Sequence, residues 1–247
     1  MRPTHALLLL AFCAAPLLQA GLAQAADSCP VPADVLPQRY DLPRARAAAT
    51  GSEKKLNILV LGSAPTEGMA AGGAGHAYPA MMQAQLQKVL PGVQINVTNR
   101  GVAGRSTRRM LDRIPEEIAN KSATLVIWET GGRELARHLE VDAYAGDVQD
   151  GVARIHDSGA DVILLDLQYI PDSLGLSDPA AYRQALRDAA NTDDTALFPR
   201  FDLMHFWAKS GLIDLDARDS GRRVQSARTL FACLGDALGS VIGASLR

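Results

Sequence analysis

Three side chains in this sequence have the types that acyl-transfer chemistry uses. Ser63 carries a hydroxyl in the small-residue turn Gly62-Ser63-Ala64-Pro65. Further on, Asp202-Leu203-Met204-His205 spaces a carboxylate and an imidazole as Asp-x-x-His. A serine becomes a nucleophile when a histidine takes its proton and a carboxylate orients that histidine. Each residue also has a plainer reading. A serine in a tight turn bonds locally, and Phe206 and Trp207 after His205 fit a packing histidine on an amphipathic helix. A second cluster is cationic: Arg133, with Arg105, Arg108 and Arg109 nearby in sequence, suits a carboxylate or phosphate. Glu134 follows Arg133 and offers it a simple ion pair instead. His76, at a helix start, and His138 and His156, on polar helix faces, read as surface residues, and no His, Cys, Asp or Glu set has metal-ligand spacing. No cofactor is implied.

The elements that must position these residues alternate. Ile58 to Leu61 is an apolar run that stops at Gly62, as a strand covered on both faces does. Ala77 to Leu90 reads as a helix ended by Pro91-Gly92, and Val93 to Thr98 as a strand followed by the loop Asn99 to Gly104. Ser106 or Thr107 caps a helix running to about Ala119. Leu125 to Trp128 and Val162 to Leu165 are further strands, separated by a helix over Val141 to Ser158. A loop with Pro171 and Gly175 leads to a helix starting at Asp178-Pro179. Leu197-Phe198 is a fifth strand, followed by a short helix from Asp202 to Lys209, an acidic loop from Ile213 to Gly221 and a final helix from Val224 to Leu246. Five strand–helix alternations predict a three-layer α/β/α domain around a five-stranded parallel sheet, flavodoxin-like in class. Such sheets build their sites at the carboxyl edge, where Gly62 and Ser63 fall.

The first 25 residues have the pattern of an export leader: Arg2, an apolar stretch from Ala6 to Leu18, and the small residues Ala23-Gln24-Ala25. Bulky Phe12 before Cys13 argues against a lipid anchor, and no later unbroken apolar stretch reaches the roughly 18 residues of a membrane helix. The expectation is a soluble periplasmic or secreted chain, divided into a leader (1–25), a Pro-, Ala- and Arg-rich arm without clear period (26–55) and one domain (56–247). Without Arg2 the net charge of −2 becomes −3, too acidic for a nucleic-acid partner. Cys29 and Cys233 then remain, either as one disulfide between the arm and the last helix or as two buried thiols.

Four loops at successive strand ends together resemble the SGNH (GDSL-type) hydrolase family. Gly62-Ser63-Ala64-Pro65-Thr66-Glu67-Gly68 stands where that family has Gly-Asp-Ser-Leu-Thr-Glu-Gly. Asn99 to Gly104 is similar to its second block, Trp128 to Glu134 to its third, and Ile213 to Arg222 to its fifth. The resemblance implies ester hydrolysis by a serine, a histidine with its aspartate, and an oxyanion hole of backbone and asparagine donors. At those positions this chain has Ala64 for the serine, Arg133 for the asparagine, Asp216 for the histidine and Ile213 for its aspartate, and it keeps Gly104. Two functions follow. One is an exported, catalytically impaired protein that binds a small molecule or a glycan- or lipid-derived ligand, or serves a protein partner. The other is an active carboxylic-ester hydrolase rebuilt around Ser63, His205 and Asp202.

Overall fold

The computed structural model describes residues 29–171, 178–191 and 194–247. The leader segment and part of the loop after Pro171, including Gly175, lie outside the described residues. Five parallel strands form one sheet in the order β2-β1-β3-β4-β5: β1 (Lys55–Gly62), β2 (Gln94–Gly101), β3 (Leu125–Glu129), β4 (Asp161–Leu165) and β5 (Thr195–Phe198). This is the expected α/β/α architecture.

Alternation along each strand divides the core into two layers, because successive side chains point to opposite faces. Leu56, Ile58 and Val60 of β1, with Leu125 and Ile127 of β3, face α1 (Pro43–Thr50), α3 (Tyr78–Val89), α9 (Arg200–Lys209) and α10 (Ser220–Ser245). Leu59 and Leu61, with Val126 and Trp128, face α4 (Thr107–Leu111), α5 (Ile114–Lys121), α7 (Val141–Asp157) and α8 (Ala180–Ala190). Two short helices, α2 (Ala64–Glu67) and α6 (Gly132–Ala136), sit at the carboxyl edge.

The seam between α3 and α10 is set by glycines four residues apart. A methyl group on Gly235 would stand 2.3 Å from Met81 Cβ, one on Gly239 2.9 Å from Gln85 Cβ, and one on Gly243 2.5 Å from Val89 Cγ2. Positions i, i+4 and i+8 share one helix face, so these three glycines let the helices approach closely. The last helix has the length and composition of a membrane span, yet 61% of its most apolar window is buried inside the fold.

The arm is more structured than its composition suggests. Pro43 starts α1, whose Ala45 and Ala49 are buried; three alanines in a row leave only a weak period for a sequence reading to detect. The buried carboxylate of Asp161 accepts the Ala45 amide at 2.8 Å and Arg44 Nη1 at 3.2 Å, which fixes α1 to the amino end of β4. Burial raises the Asp161 pKa, and these hydrogen bonds oppose the rise. Trp207 Nε1 donates to the Pro30 carbonyl at 2.7 Å. Cys29 and Cys233 are disulfide-bonded with Cα atoms 5.3 Å apart. Ser106 caps α4 as expected, and Asp178 Oδ1 accepts the Ala180 amide at 2.9 Å, with Pro179 itself at the N-cap of α8. The helix expected to run on to about Ala119 is divided into α4 and α5, and α9 and α10 start at Arg200 and Ser220, ahead of the expected Asp202 and Val224.

Candidate functional site

The site is assembled where β1, β2 and β3 end together. Gly62 closes β1 in register with Gly101 of β2, one residue after Leu61 pairs with Trp128 of β3. A side chain at Gly62 is impossible without rearrangement: its Cβ would lie 2.0 Å from Thr66 Oγ1 and 2.7 Å from Glu129 Oε2. Ser63 then precedes α2, and Gly68 ends that helix in the left-handed conformation (φ 85°).

Glu129, the last residue of β3, organises this corner. It is 1% exposed. Its Oε2 accepts the Ser63 amide at 2.8 Å and the Thr66 hydroxyl at 2.8 Å, and its Oε1 accepts the Ser63 hydroxyl at 2.9 Å. Thr66 Oγ1 lies 3.0 Å from the Tyr78 hydroxyl. Since Thr66 gives its proton to Glu129, Tyr78 donates to Thr66. Burial, reinforced by the Glu129 carboxylate, pushes the Tyr78 pKa up and keeps the phenol protonated as that donor. Arg200, at the start of α9 and also 1% exposed, has Nη2 3.9 Å from Glu129 Oε1. Its Nε donates to the Asp166 carbonyl at 2.7 Å, and its buried Nη1 has no hydrogen-bond partner among the described residues.

The second loop is tied to the first. Asn99 Nδ2 donates to the Thr66 carbonyl at 2.7 Å, and Asn99 Oδ1 accepts the Gly101 amide at 2.8 Å. Asn99, Arg100 and Gly101, expected in a loop, are the last residues of β2, because each pairs along β1. Gly104 (φ 71°) is exposed, and its carbonyl accepts Arg133 Nη1 at 2.9 Å. The pairing of Arg133 with Glu134 is not formed: Glu134 is buried and accepts the Thr107 amide at 2.7 Å. A carboxylate that reaches one of the unpaired amides of a helix's first turn is held there by the helix end, while Arg133 turns outward to the loop.

Ala64 of α2, Arg133 of α6 and Gly104 of the loop after β2 thus stand along one edge. Ala64 is exposed and presents only a methyl group where the resemblance expects a nucleophile. The residues of the rebuilt site have other partners. Ser63 bonds Glu129, and Asp202 accepts Arg183 Nη2 at 3.0 Å. His205 is exposed and lies against Tyr169 with ring centroids 4.8 Å apart. Among the described residues no hydrogen bond links Ser63 to His205. Asp216 lies in the acidic loop, and its amide donates to Asp214 Oδ1 at 3.1 Å. His156, expected at the surface, is half-buried and reaches Thr195 Oγ1 at 3.1 Å, at the amino end of the sheet. Among the described residues no cluster of three His, Cys, Asp or Glu side chains could hold a metal.

Among the described residues, three cavities follow the edge. The inner one, about 160 Å³, is lined by Ser63, Glu129, Leu135, Gln168, Ile170 and Arg200. The middle one, about 410 Å³, shares Pro65 and Gln168 with it and is walled by Ala64, Met69, Leu230 and Phe231. The outer one, about 510 Å³, shares Asp214 and Leu215 with the middle one and holds Tyr169, His205, Lys209 and Asp216. Sequence reasoning missed Glu129 and Arg200. A charge closing the apolar run Leu125 to Trp128 was the signal for Glu129; Arg200, alone between Pro199 and Phe201, gave none.

Comparison with known proteins agrees with this fold. TesA has 23% sequence identity to the chain, with a TM-score of 0.55 over 69% of this chain and 94% of TesA. AlinE4, an SGNH-hydrolase family esterase, has 23% identity and a TM-score of 0.54 over 67% of this chain and 86% of its own. A catalytic mutant of Axe2, an acetylxylan esterase from Geobacillus stearothermophilus, has 20% identity and a TM-score of 0.55 over 73% and 94%. These likenesses establish the SGNH-hydrolase fold. No curated protein matches the chain in sequence. The model of the non-GDSL lipase-like family matches residues 28–247, nearly all of the chain, and the chain belongs to that family.

Proposed function

We propose that the protein is an exported, catalytically impaired SGNH-type protein that binds a glycan- or lipid-derived ligand in its edge cleft, alone or as an accessory to a protein partner. One observation carries this reading: the Glu129 carboxylate accepts both the amide and the hydroxyl of Ser63, beside Ala64. Ester cleavage needs donors aimed at the place where negative charge develops on the substrate oxygen. Here the amide of the turn is already spent on a full negative charge, and an incoming oxyanion would be repelled by it. The Ser63 hydroxyl is already committed to Glu129, and among the described residues no imidazole bonds it.

The leader pattern of residues 1–25 and the Cys29–Cys233 disulfide support export to an oxidising compartment. The neighbouring inner, middle and outer cavities along this edge support retention of a ligand site after loss of the chemistry.

The test is hydrolysis of p-nitrophenyl acetate, butyrate and octanoate by the purified protein. Release of p-nitrophenol no faster than with heat-denatured protein is expected. A rate far above that control would sink the proposal. Loss of that rate in both Ser63→Ala and His205→Ala would assign it to the rebuilt site.

A further inference from the structure

We infer that the corner formed by the loop after β2, α4 and α6 docks on an anionic phospholipid surface through Arg105, Arg109, Arg133 and Arg137. Two hydrogen bonds join the segments that carry these arginines. The Gly104 carbonyl accepts Arg133 Nη1 at 2.9 Å, and the buried Glu134 carboxylate accepts the Thr107 amide at 2.7 Å. Arg137 follows Arg133 by one helical turn, its amide on the Arg133 carbonyl at 3.0 Å. Arg109 is exposed on α4, whose buried residues are Thr107, Met110 and Leu111. Arg137 is exposed too, and Arg105 and Arg133 are half-buried.

The charge of these four is not offset. The arginines around them are paired: Arg100 and Arg113 with Glu117, and Arg108 with Asp147. Among the described residues none of the four forms an ion pair. Two neighbouring carboxylates are turned to the backbone, Glu134 to Thr107 and Glu67 Oε2 to the Ala103 amide at 3.1 Å. The acidic loop from Ile213 to Gly221 belongs to the other side of the sheet. Its Ile213 packs in the layer of α10, whereas Met110 and Leu135, beneath the arginines, pack in the layer of α7. A chain of net charge −2 thus carries a local basic corner.

Shape and apolar surface choose the partner. The four arginines line none of the three edge cavities. An exposed arginine gains little from one small anion, and several gain together on a surface that presents many anions. Val102 and Leu139 flank the arginines in sequence and are 41% and 46% exposed. A bilayer interface takes up such side chains among its acyl groups; a free phosphate or a nucleic-acid backbone gives them nothing. Each arginine held at an anionic lipid surface strengthens binding about fivefold. The inference goes beyond the ligand reading above and does not depend on it.

Vesicle sedimentation with the purified protein tests this. Vesicles of phosphatidylcholine with phosphatidylglycerol in equal parts are expected to bring the protein down at low salt and release it at high salt. Vesicles of phosphatidylcholine alone are expected to leave it in solution. Arg105→Glu with Arg109→Glu is expected to weaken binding at least about 25-fold, fivefold for each arginine removed, at an unchanged melting temperature. Arg133→Glu with Arg137→Glu is expected to do the same. Arg218→Glu with Arg222→Glu makes the same change in net charge on exposed residues of the other layer, and is expected to alter binding by less than about threefold. No sedimentation with the anionic vesicles, equal sedimentation with both kinds, or equal loss in the Arg218 and Arg222 variant would each overturn the inference. So would release by glycerol phosphate at an ionic strength where chloride releases nothing, because that marks a small-anion site. Turnover of p-nitrophenyl esters would leave the vesicle result standing, and failure to sediment would leave the impaired-hydrolase reading standing.

Discussion

The α3–α10 seam and the carboxyl edge are both buried, but they are held by opposite means. At the seam, Gly235, Gly239 and Gly243 remove side chains so that two helices meet at backbone distance. At the edge, Glu129 and Arg200 bring charge into the core and require Ser63, Thr66, Tyr78 and the Asp166 carbonyl to satisfy it. Packing of the first kind needs only shape. A network of the second kind is costly unless complete, and among the described residues this one is complete except at Arg200 Nη1. The difference separates what holds the fold from what shapes the cleft.

The largest effect is expected from breaking the edge. Glu129→Ala leaves the Ser63 amide and the Thr66 hydroxyl without an acceptor and Arg200 without a counter-charge. Loss of a buried partner of this kind costs about 3–5 kcal/mol, to be read from urea unfolding. Glu129→Gln, which keeps the shape and drops the charge, is expected to cost less; equal costs would show that charge rather than shape matters there. Second comes removal of the covalent tie: Cys29→Ser with Cys233→Ser is expected to cost about 2–4 kcal/mol, seen as a lower melting temperature and unchanged by added reductant. At the seam, Gly235→Ala places a methyl group 2.3 Å from Met81 Cβ and 2.7 Å from the Met82 amide nitrogen. Overpacking of that kind costs about 1–3 kcal/mol. A neutral result would show that α10 can shift along α3. The smallest effect is expected at Ala64, which is exposed. Ala64→Ser should change stability by less than about 0.5 kcal/mol and should not create esterase activity, because Asp216 stands where the resemblance puts the base. Gain of turnover in that variant would show that a base is within reach after all.

The fold was readable because its strands are short apolar runs ended by glycine or proline, as at Leu56 to Gly62. The location of the cleft followed from those endings. Three things were not readable, each for a physical reason. Helix α1 is short and alanine-rich, so its buried face carries little hydrophobic contrast. The register of β1 against β2 carries Asn99 to Gly101 into the sheet, and register depends on pairing that one strand's sequence does not contain. The Glu129–Arg200 pair joins residues 71 positions apart in sequence, and only the folded sheet edge brings them together. The spacing of Gly235, Gly239 and Gly243 was visible in the sequence, but its meaning depends on which helix lies opposite.

The central claim is that Ser63 is a bonded turn residue rather than a nucleophile. Reaction of the purified protein with a fluorophosphonate, followed by intact-mass and peptide mass spectrometry, tests it most directly. The account predicts no phosphonyl adduct on Ser63 after prolonged exposure to excess reagent. A stoichiometric adduct on Ser63, abolished by His205→Ala, would contradict it.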